Sequence, residues 1–298
     1  MCVSKEVVWT NFGLDGIGSY LVLRWLRGKD IEVHYTTPKR FRDDFLHWQI
    51  NSGINTYSKI FIVNLDLTKS IDVADLPNCV IVDNHVTHIE RKDLYNAART
   101  AVVEATSTTR LLFRIFRSEL VKKLAPAQIK LIALVDDYIS GVNKMPASKL
   151  LNALYWGISG DKMQRFVQDF DAGFQSFTPL HKNIIAVYCK RYHQLINELD
   201  IFEGRLPFQH KTYKIFSTFA DSSLDEISQH IMQKHQADVV AMVNLKTKSV
   251  FFRKSANCPI PLPKLAERLC DGGGSDFFAG GDLTDKFLNF CKTLQQVC

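Results

Sequence analysis

Lys59-Ile60-Phe61-Ile62-Val63-Asn64-Leu65-Asp66 and Cys79-Val80-Ile81-Val82-Asp83-Asn84-His85 share one form: a short run rich in β-branched residues that stops abruptly at acids, amides or an imidazole. Strands buried on both faces by covering helices read this way, because neither face needs polar side chains. Working outward, segments 6–10 and 31–35 have the same character. Segments 17–26 and 38–50 lie between strands and carry apolar residues at helical spacing, with Pro38 suited to a first helical turn. The alternation predicts an α/β fold: a parallel sheet covered by helices, with ligands at the carboxyl ends of its strands.

From Ser107 to about residue 199 the period becomes helical, as Leu111, Leu112, Ile115 and Phe116, then Leu131, Ile132, Leu134 and Val135, recur at three- and four-residue spacing. Gly204 and Pro207 break the pattern within 200–211, which reads as a linker. Beyond it the chain predicts a strand over 213–219, a helix over 224–234, a hairpin of 239–243 with 249–252, a helix over 262–269, a Gly-rich loop at 272–281 and a closing helix over 283–294. A length of 298 residues suits two domains. We expect an N-terminal parallel-sheet domain with helical additions over 1–199, the linker at 200–211, and a smaller C-terminal α/β domain over 212–298.

With 46% hydrophobic and 23% charged residues, the chain is neither disordered, collagenous nor coiled-coil. It has no apolar run of membrane-spanning length, and its first ten residues lack the basic start and apolar stretch of a signal peptide. A cytoplasmic protein with no membrane partner is therefore expected. Cys2, Cys79, Cys189, Cys258, Cys270, Cys291 and Cys298 form no CxxC pair, which argues against a disulfide framework and a zinc site. The net charge of +6 suits attraction to phosphate-bearing ligands, although it is common in proteins that bind none.

Chemistry-bearing side chains gather at the predicted strand ends. Asp15 follows the first strand, Asn64 and Asp66 the third, and Asp83, Asn84 and His85 close the fourth. Oxygen and imidazole ligands converging there suit Mg²⁺ or Mn²⁺, which clamp phosphoryl oxygens and activate water. Asp136 or Asp137, at the end of a helical run, adds a further carboxylate.

The order of these motifs resembles the DHH phosphoesterase superfamily over nearly the whole chain. Asn11-Phe12-Gly13-Leu14-Asp15-Gly16 looks like its first motif, Phe61 to Asp66 its second, Val82-Asp83-Asn84-His85 its Asp-His-His signature, and Ala133-Leu134-Val135-Asp136-Asp137 its fourth. Phe252-Arg253-Lys254-Ser255 and the glycines of Asp271-Gly272-Gly273-Gly274-Ser275 resemble the associated C-terminal domain, which in the family binds the substrate and closes over the metal centre. The resemblance implies hydrolysis of nucleotide or oligonucleotide phosphodiesters with Mn²⁺ or Mg²⁺. It assigns metal-ligand positions to Asp15, Asp83, either Asn64 or, with a two-residue shift, Asp66, and one of Asp136 and Asp137, catalytic positions to Asp83 and His85, and substrate contacts to Arg110, Arg253, Gly272, Gly273, Gly274 and Ser275.

The chain departs from that pattern. Asn11 and Gly13 stand where the family has His and Asp, Asn64 stands at the expected metal bridge, Asn84 replaces the first signature histidine, and Ser275 replaces a loop histidine. On this count at most one ion is held, and weakly, because amides are neutral and weaker ligands for hard cations. Two functions follow: a divergent phosphoesterase, or an inactive homologue that binds a nucleotide, a short single-stranded nucleic acid or a protein. A homodimer stays open. Blander roles accompany several residues: Asp15-Gly16 as a turn, His88 as a packed histidine, Thr106 to Arg110 as a helix cap, Arg253 as a solvated edge charge, and Phe277 and Phe278 as core.

Overall fold

The computed structural model describes residues 5–52, 56–95, 100–221 and 224–295. Its contacts divide the chain into two units, Met1–Cys189 and Lys190–Cys298.

In the first unit, strands β1 (Lys5–Thr10), β2 (Glu32–Tyr35), β3 (Tyr57–Val63), β4 (Cys79–Asp83) and β5 (Thr100–Val102) form a sheet of order β2-β1-β3-β4-β5. Every pairing is parallel. Successive residues point to opposite faces, and both faces are covered. Val8, Phe61, Val63 and Val82 pack against α1 (Leu14–Arg27), α5 (Thr108–Ile115), α7 (Pro126–Ile139), α8 (Pro146–Gly157) and α9 (Lys162–Phe170). Val7, Trp9, Ile60, Ile62 and Ile81 pack against Phe41, Phe45 and Trp48 of α2 (Pro38–Ser52) and Val73 and Ala74 of α3 (Ile71–Ala74). Two-sided burial is why these strands lack polar alternation. The chain leaves β1 toward β2 on one side and returns to β3 on the other, so the sheet's switch point lies between β1 and β3. Short helices α4 (Val86–Ile89) and α6 (Arg117–Leu120) complete this part of the chain.

Helix α10 (Pro179–Glu198) contains the division between the units. The second unit has strands β6 (Ile201–Phe208), β7 (Lys211–Phe219), β8 (Val239–Asn244), β9 (Ser249–Lys254), β10 (Gly273–Gly274) and β11 (Phe278–Asp282) in the order β10-β11-β9-β8-β7-β6. Strands β7 and β8 are parallel and the other pairs antiparallel. Helices α12 (Leu262–Cys270) and α13 (Asp285–Gln295) supply one core, while α11 (Leu224–His235) and the end of α10 supply the other.

Two local expectations are corrected here. Residues 201–208, read as linker, are strand β6: Gly204 and Pro207 resemble breakers, but an edge strand tolerates a proline whose missing N–H faces outward. The Gly-rich stretch is a tight hairpin, β10 with β11, rather than a loop. Strand β5 is an addition that its three residues were too short to announce. Cys79, Cys189, Cys258, Cys270 and Cys291 are free thiols, while Cys2 and Cys298 lie outside the described residues. Among the described residues no helix is long and apolar enough to cross a membrane.

Candidate functional site

Asp15 sits in the first turn of α1, just beyond β1, and is only 6% exposed. Its carboxylate faces the N-terminus of α5. Thr108 N and Thr109 N each donate to it at 2.8 Å, and Thr109 Oγ1 donates at 2.6 Å. Close packing of α1 on α5 permits this, since a Cβ on Gly18 would lie 2.6 Å from Thr109 Oγ1. Asn64, at the end of β3, has φ 54°, a left-handed conformation that asparagine tolerates better than most residues. With its amide turned to satisfy both ends, Nδ2 donates to Asp15 Oδ2 and Thr108 Oγ1, both at 3.3 Å, while Oδ1 accepts from Asn11 Nδ2 at 3.1 Å and Gly16 N at 3.0 Å. Thr108 Oγ1 donates onward to Asn84 Oδ1 at 2.8 Å, and Asn84 Nδ2 donates to Ala105 O at 2.9 Å.

Asp15 therefore accepts four hydrogen bonds, which uses the lone-pair capacity of a carboxylate. Burial nevertheless raises its pKa against the lowering effect of those donors.

Asp83, fully buried at the end of β4, accepts from His85 Nδ1 and His88 Nδ1, each at 2.7 Å. Burial opposes its ionisation, but the two histidines outweigh it and hold the carboxyl below the usual range. For His85 burial also opposes charge, yet Asp83 prevails and pushes its pKa up to about 9. His85 keeps 26% side-chain exposure at the strand end, and the buried Asp83 carboxylate favours its charged form. Asp66 accepts from Thr68 N at 3.0 Å and from the Thr87 hydroxyl. Asp136 turns toward α5, accepting from Ser107 Oγ at 2.7 Å and from the Thr106 hydroxyl. Asp137 turns away, holding Lys144 N at 2.9 Å, Met145 N at 3.0 Å and Ser148 Oγ at 2.7 Å before α8.

By sequence the chain matches no family model and no curated protein. Its fold does have relatives among solved structures. A DHH domain from a member of a family of ribosomal proteins aligns with TM-score 0.63 at 10% identity, over 99% of this chain and 87% of that one. The chain has the DHH-superfamily fold. A pGpG-specific phosphodiesterase, PggH from Vibrio cholerae, aligns with TM-score 0.54 at 13% identity over 99% of each chain. An exopolyphosphatase-related protein from Bacteroides fragilis gives 0.53 at 13%, over 98% of this chain and 92% of that one.

At the DHH strand ends the donor set does not fit a divalent ion. Gly13 offers no side-chain ligand, Asn64 offers an amide already engaged at both ends, and the Asp15 and Asp83 carboxylates are taken by protein donors. Among the described residues no three His, Cys, Asp or Glu side chains form a group that could hold a metal ion. Of the expected ligand residues, Asp15, Asn64, Asp66, Asp83 and Asp136 are engaged by protein hydrogen-bond partners near the strand ends, while Asp137 is turned toward α8.

Arg110 caps through its backbone, N to Ser107 Oγ at 3.1 Å, and its guanidinium lies 5.4 Å from the Phe113 ring centroid. In the second unit, Arg253 pairs with the Asp225 carboxylate and stacks 4.3 Å from the Phe278 centroid, with 12% side-chain exposure. It is a compensated charge rather than a solvated one. Ser275 forms the hairpin turn, its N donating to Phe278 O at 2.7 Å. The nearby glycines serve close backbone packing: a Cβ on Gly272 would stand 1.9 Å from Gly280 O.

Sequence reasoning missed two exposed aromatic side chains in the first unit. Phe12 and Trp156 are 41% and 44% exposed, Lys162 Nζ lies 3.7 Å from the Trp156 centroid, and the Tyr155 hydroxyl donates to Phe12 O. Burial lowers the Lys162 pKa. Phe12 stood in view inside the first motif. Trp156 and Lys162 carried no local signal, because only the packing of α8 with α9 sets them side by side.

Proposed function

We propose that this DHH-fold chain is a non-hydrolytic homologue that binds a nucleotide or a short single-stranded nucleic acid. The observation that carries the reading is the four-donor cage around Asp15, which occupies a carboxylate that the resemblance assigns as a metal ligand. The ligand is received by Phe12 and Trp156, whose exposed rings can stack on bases, with Lys162 beside them for a phosphate. His85 adds a second positive group at the strand ends.

The test pairs two assays on the purified chain. Dinucleotides and single-stranded oligomers are incubated with Mn²⁺ and with Mg²⁺, and the same ligands are titrated in EDTA while tryptophan fluorescence is followed. The reading expects no hydrolysis, quenching that persists in EDTA, and loss of that quenching in Phe12→Ala and Trp156→Ala. Metal-dependent cleavage would instead restore the phosphoesterase reading, in which Asp66, Asp83, Asp136 and His85 carry the chemistry.

A further inference from the structure

The first unit holds a cavity of about 380 Å³ at the C-terminal end of α1, the far end of that helix from Asp15. From Asp15 to Arg24 the helix rises about 14 Å. The cavity wall comes from three connections: the turn after α1, the segment between α6 and α7, and the turn after α9. Three basic side chains, Arg24, Lys29 and Lys123, line it with one acid, Asp171, while Trp25 and Leu124 give it an apolar side.

The acid is fully paired. Arg24 Nε donates to Asp171 Oδ1 at 3.0 Å, and Lys29 Nζ lies 3.0 Å from Asp171 Oδ2. Asp171 is itself fixed through its backbone, because Trp25 Nε1 and Gln128 Nε2 donate to its carbonyl at 2.8 and 3.2 Å. Lys123 Nζ donates to Leu26 O at 3.1 Å. A guanidinium has five N–H groups and an ammonium three. Among the described residues Arg24 uses Nε on Asp171 and Nη1 on Lys29 O and the Tyr20 hydroxyl, which leaves Nη2 for a ligand. Each lysine places one N–H on the protein and keeps the others. With Asp171 neutralised by one of the three bases, two positive charges remain in excess around a concave space.

That excess matches a phosphate monoester, which carries about −1.5 to −2 near neutral pH, better than a carboxylate with half the charge. The volume falls within the range of about 300–1,000 Å³ typical of small-molecule sites, so there is room for more than the tetrahedral head. The geometry points to a site for a small phosphate monoester in this cavity, separate from the strand ends. Arg24 Nη2, Lys29 and Lys123 receive the phosphate, and Trp25 and Leu124 receive its organic group. Asp171 holds Arg24 and Lys29 in position for this contact. Arg24 and Lys123 also cap carbonyls near the end of α1; with that role alone the cavity takes up no anion.

The test is isothermal titration calorimetry on the full chain at low salt, with phenyl phosphate, inorganic phosphate and benzoate as probes. Phenyl phosphate should bind most tightly. Inorganic phosphate should bind more weakly because it leaves the apolar side unfilled, and benzoate more weakly because it carries less charge. Lys29→Gln and Lys123→Gln, both at exposed positions, should each weaken phenyl phosphate roughly tenfold through loss of a charge-assisted contact. Lys149→Gln, at an exposed position of α8 outside the cavity, should leave the affinity unchanged. Circular dichroism confirms that the variants fold. Four results would each overturn the proposal: no binding of either phosphate probe, wild-type affinity in both cavity variants, an equal loss in Lys149→Gln, or benzoate or inorganic phosphate binding as tightly as phenyl phosphate. None of the probes carries a nucleobase and none of the variants changes Phe12, Trp156 or Lys162, so the nucleotide reading stands or falls separately.

Discussion

Replacing Asp15 by alanine separates a structural carboxylate from a ligand-holding one. The change removes the acceptor for Thr108 N and Thr109 N, whose residues are 0% and 1% exposed, so water cannot replace it. The Thr109 hydroxyl keeps a partner in Asp15 O at 3.0 Å. Two orphaned buried amides at about 1–3 kcal/mol each set a loss of about 2–6 kcal/mol. Relief from burying a carboxyl with a raised pKa works against this and leaves about 2–4 kcal/mol. Asp15→Asn keeps one acceptor but turns a donor toward another donor, and should lose about 1–3 kcal/mol. All four tryptophans lie in the first unit, so urea unfolding followed by tryptophan fluorescence reports on that unit alone. A carboxylate kept only to hold an ion would behave oppositely, because its removal relieves a buried acid. An unchanged or raised urea midpoint for Asp15→Ala would refute the capping argument.

Other perturbations test neighbouring steps. His85 has its folded pKa raised to about 9 above an ordinary 6.5, so its contribution to stability is complete below 6.5 and is lost as pH rises toward 9. The wild-type minus His85→Gln difference in unfolding free energy should therefore fall by about 1–3 kcal/mol over that window, and a flat difference would show that Asp83 does not hold the imidazolium. Adding Mn²⁺ or Mg²⁺ at millimolar level should leave the thermal midpoint unchanged, since an ion bound to the folded state would raise it; a clear rise in a melting scan contradicts the donor analysis. Arg253→Ala should cost the second unit about 1–3 kcal/mol by taking the guanidinium from the Asp225 carboxylate, read as a lower melting midpoint in circular dichroism. Gly272→Ala drives a Cβ to 1.9 Å from Gly280 O and should destabilise the same unit by about 1–3 kcal/mol, with the first unit's tryptophan signal unmoved.

The parallel sheet was legible because strands covered on both faces must be built from apolar, β-branched residues, and such runs stand out between amphipathic helices. Segment 79–83 coincides with β4, and the other early strands differ from their expected bounds by one or two residues at an end. Strand β6 was hidden because Gly204 and Pro207 are breakers only when a strand has neighbours on both sides. The Gly-rich stretch was likewise ambiguous: glycine serves anion contact and tight backbone packing equally well, and only the approach of Gly272 to Gly280 O shows which constraint operates.

At the strand ends, residue types alone determined what is missing. A glycine at 13 and amides at 11, 64 and 84 cannot supply charged ligands in any conformation. What the surviving acids do was decided by tertiary structure, because a carboxylate's role depends on which donors reach it. Asp15 became a helix cap through Thr108 and Thr109, far away in the chain. Asp136 and Asp137 are adjacent in sequence, but successive residues of a helix point in different directions. One therefore joins the cluster at α5, while the other holds the start of α8.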